Sequence, residues 1–283
     1  MGMDGRVVLV TGGNSGVGQA AATALAAMGA DVTIAARNQA KAEAARDEIR
    51  AATGKDVAIV ALDLASFDSV RACAKEYSAA HARLDVLVNN AGIVVRKRQQ
   101  TVDGHELQLQ VNHLGHFLLT NELMPLLEAS GNARVVATAS DAHRTTRKGL
   151  RFDDLEWSQR RYRAFSVYSA TKMMNIMHIR ELARRVDDKG ITANAVHPGW
   201  VYTGFARDGD TGRLGQYATS LGRPFARTPE EGARTTVHVA SAPELEGVTG
   251  QYFYSERLHE PNAAARDDAA AARLWEISEQ LTT

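Results

Sequence analysis

Short runs of apolar residues alternate with longer, alanine-rich stretches along most of the chain. The apolar runs are about five residues long, which is typical of strands buried on both faces of a parallel sheet. The longer stretches predict helices that connect one strand to the next. The predicted strands are Val7–Val10, Val32–Ala36, Val57–Leu62, Leu84–Val88, Arg134–Thr138 and Thr192–Val196. The predicted helices are Val17–Met28, Asn38–Thr53, Ser66–Ala80, Asp103–Leu127 (kinked or ended by Pro125), Phe165–Val186 and Asp267–Gln280.

This alternation predicts an α/β fold, a Rossmann-type doubly wound parallel sheet of about seven strands flanked by helices in three layers. Because the pattern is unbroken from residue 6 to residue 253, we expect residues 1–283 to form a single domain. Two stretches depart from it, an arginine-rich one near 141–164 and a glycine-rich one near 200–228. The second ends at Thr228, a predicted N-cap, with Pro229 in the first helical position. Long irregular segments that follow strands of such a sheet usually bind ligands, so we expect substrate loops there.

The charge balance narrows the partners that we expect. Lysine plus arginine and aspartate plus glutamate number 33 each, so no net positive field attracts nucleic acid or an anionic membrane. The sequence has no run of about 18 apolar residues and no signal-peptide pattern. Cys73 is the only cysteine, which fits a reducing compartment. We therefore expect a cytoplasmic protein with a small-molecule partner, compatible with a homodimer or a homotetramer.

A glycine-rich turn, Thr11 to Gly18, stands between the first strand and the first helix. Glycines in this context let the backbone approach a pyrophosphate, and the helix N-terminus offers free N–H groups. After the second strand, Ala36 occupies the position where an acidic residue would bind a ribose 2′-hydroxyl, and Arg37 follows it. An arginine there favours NADP(H) over NAD(H), with Asn38 as a further donor, although Arg37 could simply begin the next helix. The predicted contacts within the turn are Gly12, Asn14, Ser15, Gly16, Val17 and Gly18.

The spacing Gly-x3-Gly-x-Gly, the run Asn89 to Gly92, the pair Tyr168-x3-Lys172 and the turn His197-Pro198-Gly199 resemble the short-chain dehydrogenase/reductase family. The segments Val111–Phe117 and Ser140–His143 resemble its retinol dehydrogenase-like members. The resemblance implies further cofactor contacts at Asp63, Leu64, Asn89, Ala91, Gly92, Tyr168, Lys172, Pro198, Gly199, Val201 and Thr203.

Hydride transfer to a carbonyl needs a proton donor for the developing oxyanion. Tyr168 and Lys172 lie four residues apart in a predicted helix and so share a face, where the cation should lower the pKa of the phenol. The resemblance implies that Tyr168 is the acid/base, that Lys172 and Ser140 assist it, and that Asn112 disturbs its helix and holds a water in a proton relay. His113 and His116 lack a nearby cysteine or carboxylate, so no metal site is predicted.

Substrate contacts can be assigned only by position in the two loops. The candidates suggest an apolar substrate and are His143, Phe165, Trp200, Tyr202 and Phe205. The arginines of 141–164 form either a solvated face or a site for an acidic substrate group. The sequence thus predicts an NADP(H)-dependent alcohol dehydrogenase/ketone reductase. Two alternatives stay open, a nicotinamide-binding sensor or scaffold without turnover and a carbon–carbon double-bond reductase.

Overall fold

One eight-stranded sheet organises residues 2–201 and 227–283, the part of the chain that the computed structural model describes. Seven strands pair in parallel, and the eighth pairs antiparallel to the seventh. The predicted Rossmann-type sheet is therefore confirmed, with one short antiparallel edge strand added. The strands are β1 Val7–Thr11, β2 Asp31–Ala36, β3 Ala58–Ala61, β4 Val86–Asn89, β5 Ala133–Thr138, β6 Ile191–His197, β7 Tyr252–Tyr254 and β8 Arg257–Leu258, in the order β3-β2-β1-β4-β5-β6-β7-β8.

The strand order reverses between β1 and β4. The chain first moves outward from β1 to β3 and then returns to place β4 against the other side of β1. Doubly wound sheets bind ligands at the carboxyl ends of the strands next to such a switch point. Thr11 ends β1 and Asn89 ends β4, so the glycine-rich turn and the Asn89–Gly92 turn begin side by side at this edge.

Helices cover both faces of the sheet and give the predicted three layers. One core cluster includes Leu25, Ile49 and Val239, and the other includes Ile176 and Trp275. The helices are α1 Gly16–Ala27, α2 Gln39–Thr53, α3 Phe67–Ala80, α4 Leu107–Leu109, α5 Gly115–Glu122, α6 Met124–Ser130, α7 Ala164–Arg185, α8 Pro229–Ser241 and α9 Asp268–Leu281.

The predicted start of α8 is confirmed by its hydrogen bonds. The Thr228 hydroxyl accepts from the Glu231 N–H, and the Glu231 carboxylate accepts from the Thr228 N–H, with Pro229 in the first turn. This reciprocal pair satisfies two backbone donors that the helix itself cannot satisfy. The capping residues thus fix the start of α8 at Pro229.

The prediction of one continuous helix over Asp103–Leu127 is wrong. Helix α4 begins only at Leu107, because the Glu106 carboxylate accepts from the Leu109 N–H and caps it. A π-helical turn, Gln110–Leu114, then leads into α5, and α6 starts afresh at Met124 with Pro125 in its first turn. The π-helical turn lies next to the carboxyl ends of β1 and β4, where π turns frequently mark functional sites.

Candidate active site

The glycine-rich turn is packed so closely at Gly13 and Gly18 that a side chain would not fit at either position. Gly12 has φ +65°, and a Cβ atom on Gly18 would lie 2.3 Å from the Gly12 carbonyl oxygen. Ser15 is the N-cap of α1, but its side chain accepts no hydrogen bond from the helix. The first N–H groups of α1 can therefore donate to a bound anion. A narrow backbone cradle at a helix N-terminus is suited to a pyrophosphate.

Thr11 fastens this turn to the turn after β4. Its hydroxyl oxygen accepts from the backbone N–H groups of Asn90 and Ala91, at 2.9 and 3.0 Å. The Asn90 amide also donates to the Thr11 carbonyl, at 3.0 Å. Neither Thr11 nor Asn90 is among the predicted site residues, although Thr11 belongs to the glycine-rich turn and Asn90 to the run Asn89 to Gly92.

The 2′-phosphate candidates lie directly after β2. Arg37 is exposed and stands before the helix, because Asn38 is the N-cap of α2 and accepts from the Lys41 N–H at 2.9 Å. Arg37 therefore lies outside α2, and it does not begin this helix. The Asn38 oxygen accepts this capping bond, and its amide group carries two N–H donors that could reach a cofactor.

Other residues that were predicted to contact the cofactor also make hydrogen bonds or packing contacts within the protein. The Asp63 carboxylate accepts from the Ala65 N–H, Leu64 is buried, and the Asn89 amide donates to the Thr120 hydroxyl. Val17 and Val201 approach each other across Gly232, since a Cβ there would lie 3.1 and 2.5 Å from their methyl groups.

The turn after β6 has the backbone conformation that a glycine permits. Gly199 has φ +85°, and its N–H donates to His197 Nδ1 at 3.3 Å, directly after Pro198. Thr203, predicted to contact the nicotinamide, lies outside the described residues.

Three of the four predicted catalytic residues come together beside β5. The Lys172 amine lies 5.5 Å from the centre of the Tyr168 ring and donates to the Thr138 carbonyl at 2.8 Å. Ser140, which follows β5, hydrogen-bonds the Tyr168 side chain. The Ser140 hydroxyl also accepts from the Ala142 N–H and so caps the following 3₁₀ turn, Asp141–Thr145. The serine thus combines a capping contact with a contact to the tyrosine.

The pKa values of this group are set mainly by burial. Burial raises the pKa of Tyr168 to about 12, against a smaller lowering by the Ser140 hydrogen bond. Burial also lowers the pKa of Lys172 to about 8, because it penalises the ammonium. In these residues alone the pKa of Tyr168 is therefore raised and not lowered, because desolvation is its largest cause.

Asn112 lies in the π-helical turn, where the Gly115 N–H donates five residues back to the Gln110 carbonyl. Its side-chain oxygen accepts from the Ile93 N–H at 2.7 Å. Its amide donates to the Ile93 carbonyl and to the Thr171 hydroxyl, at 3.0 and 3.1 Å. Asn112 therefore joins the turn after β4, the π-helical turn and the stretch of α7 between Tyr168 and Lys172.

The predicted substrate residues divide into two groups. His143 is fully buried, with Nδ1 2.6 Å from the Ser140 carbonyl and Nε2 accepting from the Asn262 N–H at 3.2 Å. Both ring nitrogens are thus engaged by backbone, and His143 has a structural part instead of contacting a substrate. Phe165 and Trp200 are 58% and 69% exposed, and the Phe165 ring lies 6.3 Å from that of Tyr168. The predicted residues Tyr202 and Phe205 lie outside the described part of the chain.

Two family models match consecutive parts of this chain. A family model described as short chain dehydrogenase matches residues 6–151, and one described as enoyl-(acyl carrier protein) reductase matches residues 155–256. The chain belongs to the short-chain dehydrogenase family. It is therefore a member of a family of oxidoreductases that use nicotinamide cofactors, and the predicted family is confirmed.

Individual relatives extend over nearly the whole chain. Retinol dehydrogenase 14 of Homo sapiens is 42% identical, over 99% of this chain and 87% of that protein. A crystal structure of a protein from Mycobacterium paratuberculosis superposes with a TM-score of 0.80 at 34% identity, covering 99% of this chain and 94% of the other. The Pseudomonas aeruginosa RhlG/NADP active-site complex has a TM-score of 0.70 at 29% identity, covering 90% and 96%.

Within residues 2–201 and 227–283, no three histidine, cysteine, aspartate or glutamate side chains are grouped so that they could bind a metal ion. None of the helices described above has both the length and the apolar composition needed to span a bilayer.

Proposed function

We propose that this dehydrogenase transfers a hydride between NADP(H) and an alcohol/carbonyl group of an apolar small molecule, with Tyr168 as the general acid/base. The observation that carries the proposal is the meeting of Ser140, Tyr168 and Lys172 at the carboxyl edge of the sheet. A hydroxyl, a phenol and an amine there provide hydrogen bonds and a proton for a developing oxyanion.

The chain has residues that fit the cofactor. The cradle formed by Gly12 and Gly18 and the open N-terminus of α1 would hold the pyrophosphate, and the exposed Arg37 would pair with the 2′-phosphate. When bound, NADPH would supply the hydride. The RhlG structure, an NADP complex by its title, supports the phosphorylated form of the cofactor.

In the reductive direction the Ser140 and Tyr168 hydroxyls would hold the substrate oxygen, and Tyr168 would give it a proton. The Lys172 ammonium stabilises the phenolate that results, because it lies 5.5 Å from the ring. The amine is charged at neutral pH, since burial lowers its pKa only to about 8. The donor contact to the Thr138 carbonyl holds the amine in place while the proton moves.

One observation weighs against the sensor alternative, and another bears on the substrate. A sensor without turnover has no need of a tyrosine, lysine and serine converging at one point, and this chain retains all three. The exposed aromatic residues Phe165 and Trp200 near this edge support an apolar substrate. The name of the human relative suggests retinoids among the candidates.

NADPH oxidation against a panel of aldehydes, ketones, quinones, retinaldehyde and conjugated enones tests the reaction. Turnover of carbonyl compounds is expected. Reduction of the enone double bond alone would favour the carbon–carbon reductase. Binding of NADPH without turnover of any compound would favour the sensor.

The cofactor preference is tested separately with Arg37→Asp. Losing a charge-assisted pair should raise the Kd for NADPH roughly tenfold or more, while the Kd for NADH should not rise. Arg257→Asp, a change of an exposed arginine on β8, is the matched control and should leave both values unchanged. An unaltered NADPH-to-NADH ratio in the Arg37 variant would remove the argument for NADP(H).

A further inference from the structure

His116, the second residue of α5, is buried between the two turns that meet at the switch point. It is 3% exposed. Its Nε2 atom lies 2.9 Å from the Thr11 hydroxyl oxygen, and its Nδ1 atom lies 3.4 Å from the Asn112 carbonyl oxygen. One imidazole ring thus contacts both the residue that fastens the cofactor turns and the residue at the centre of the π-helical turn.

The bonding around Thr11 selects one tautomer of this ring. The Thr11 oxygen already accepts from two backbone N–H groups, those of Asn90 and Ala91, which occupies both of its lone pairs. Only its proton is left to give, and His116 Nε2 at 2.9 Å is closer than the Val88 carbonyl at 3.3 Å. Nε2 therefore accepts this bond, and the ring carries its own proton on Nδ1.

The ring is neutral, which fits this assignment. Burial, together with a smaller effect of the nearby Lys172 charge, lowers the pKa of His116 to about 3. A neutral imidazole with its proton on Nδ1 donates to the Asn112 carbonyl across the 3.4 Å contact.

We propose that His116 is a positioning residue that couples the cofactor turns to the catalytic helix. The hydrogen-bonded connection runs from the Ala91 N–H through Thr11 and His116 to Asn112, whose side chain donates to Thr171 between Tyr168 and Lys172. The two ring nitrogens hold different groups. Nε2 fixes the Thr11 hydroxyl, and hence the turn that approaches the cofactor, and Nδ1 fixes the Asn112 carbonyl beside the catalytic residues. The catalytic part of this inference rests on the proposed function.

Three substitutions separate the two ends of the ring. His116→Leu removes both bonds at similar volume, His116→Gln carries an amide group near the position of Nε2, and His116→Asn carries one near Nδ1. The leucine variant should raise the Kd for NADPH and lower kcat, each about tenfold, as expected when a buried polar group loses its partner. The glutamine variant should recover the Kd but not kcat, and the asparagine variant should recover kcat more than the Kd.

His178→Leu is the matched control, because His178 is a buried histidine of α7 whose ring packs against Phe117 and Trp275 instead of hydrogen-bonding Thr11. It should leave kcat and the Kd within about twofold of wild type, whatever its effect on Tm. The Kd is measured by fluorescence titration with NADPH, which requires no turnover. Thr11→Val should raise the Kd at least as much as the leucine variant does, because it also removes the acceptor of the Asn90 and Ala91 N–H groups. Adding His116→Leu to Thr11→Val should raise the Kd little further, because the contact between the two residues is already lost.

The proposal is overturned if folded His116→Leu keeps both constants within twofold of wild type. It is equally overturned if His178→Leu impairs them as much, or if folded His116→Gln does not recover the Kd. If the leucine variant does not fold, the glutamine and asparagine variants still decide the question through the split between Kd and kcat. If wild-type protein binds NADPH but turns over no compound, the proposed function is refuted. The Kd test of His116 still applies, because it requires no turnover.

Discussion

Replacing Lys172 by methionine should make the nucleotide-free protein more stable at neutral pH while abolishing catalysis. Burial lowers the pKa of this amine from 10.5 to about 8. The ammonium form of Lys172 is therefore less stable in the folded protein than in the unfolded chain. That difference, at about 1.36 kcal/mol for each pKa unit, amounts to about 3 kcal/mol of lost stability at pH 7.

Methionine has similar length and no charge, but it cannot donate to the Thr138 carbonyl. That oxygen keeps the Asn175 amide as a donor at 3.1 Å, so the lost bond should cost about 1 kcal/mol. The variant should therefore be about 2 kcal/mol more stable than wild type at pH 7. Buried functional charges commonly impose such a loss of stability.

The advantage should vanish as pH rises. Below about pH 8 both folded and unfolded wild-type chains hold the proton, so the whole penalty is present. Between about pH 8 and pH 10.4 the folded state loses the proton first and the unfolded state binds more, so wild-type stability rises relative to the variant. Above that range the penalty is gone and the variant should be the less stable protein.

Urea unfolding followed by circular dichroism, near pH 7 and near pH 10, measures both values. Lys189→Met is the control, since Lys189 is partly exposed and its pKa is raised by its contact with Glu128. It should not reproduce the gain at pH 7. A Lys172→Met protein that is less stable than wild type at pH 7, or a difference that does not change with pH, would refute the reasoning.

Two further predictions concern the cofactor cradle and the tail helix. Gly18→Ala should fold but lose NADPH affinity, because the new Cβ would lie 2.3 Å from the Gly12 carbonyl oxygen; an unchanged Kd in fluorescence titration would contradict the cradle. Trp275→Ala should reduce the free energy of unfolding by about 3–5 kcal/mol, since the indole packs 4.8 Å from the Phe117 ring between α9 and α5. A loss below about 1 kcal/mol in urea unfolding would mean that α9 is not part of the core.

The parts of the site that could be predicted from sequence depend on short-range spacing. Gly12 and Gly18 lie within one turn, and Tyr168 and Lys172 lie one helical turn apart, so their proximity follows from local geometry. Most strands were predictable for a similar reason, because they are short apolar runs that are buried on both faces of the sheet. The edge strand β3 is the exception, since Ala58 and Ala61 are exposed.

The errors come from contacts between residues far apart in sequence. The predicted helix over Asp103–Leu127 is broken where the Asn112 side chain bonds the backbone of Ile93, 19 residues away. His143 was assigned to the substrate, but its Nε2 is engaged by Asn262, 119 residues away. The pKa of Tyr168 depends on its burial, which no local pattern specifies. The contact of His116 with Thr11 spans 105 residues, so no local pattern indicates it.

The central claim is that Tyr168 is the proton donor and acceptor of a nicotinamide-dependent reaction. Tyr168→Phe removes only the hydroxyl oxygen that hydrogen-bonds Ser140, so the fold and the NADPH Kd should stay as in wild type. With the best carbonyl substrate of the panel, single-turnover oxidation of NADPH should slow on the order of a hundredfold or more, the usual contribution of a positioned general acid. A Tyr168→Phe protein that binds NADPH normally and turns over within a few-fold of wild type would contradict the account.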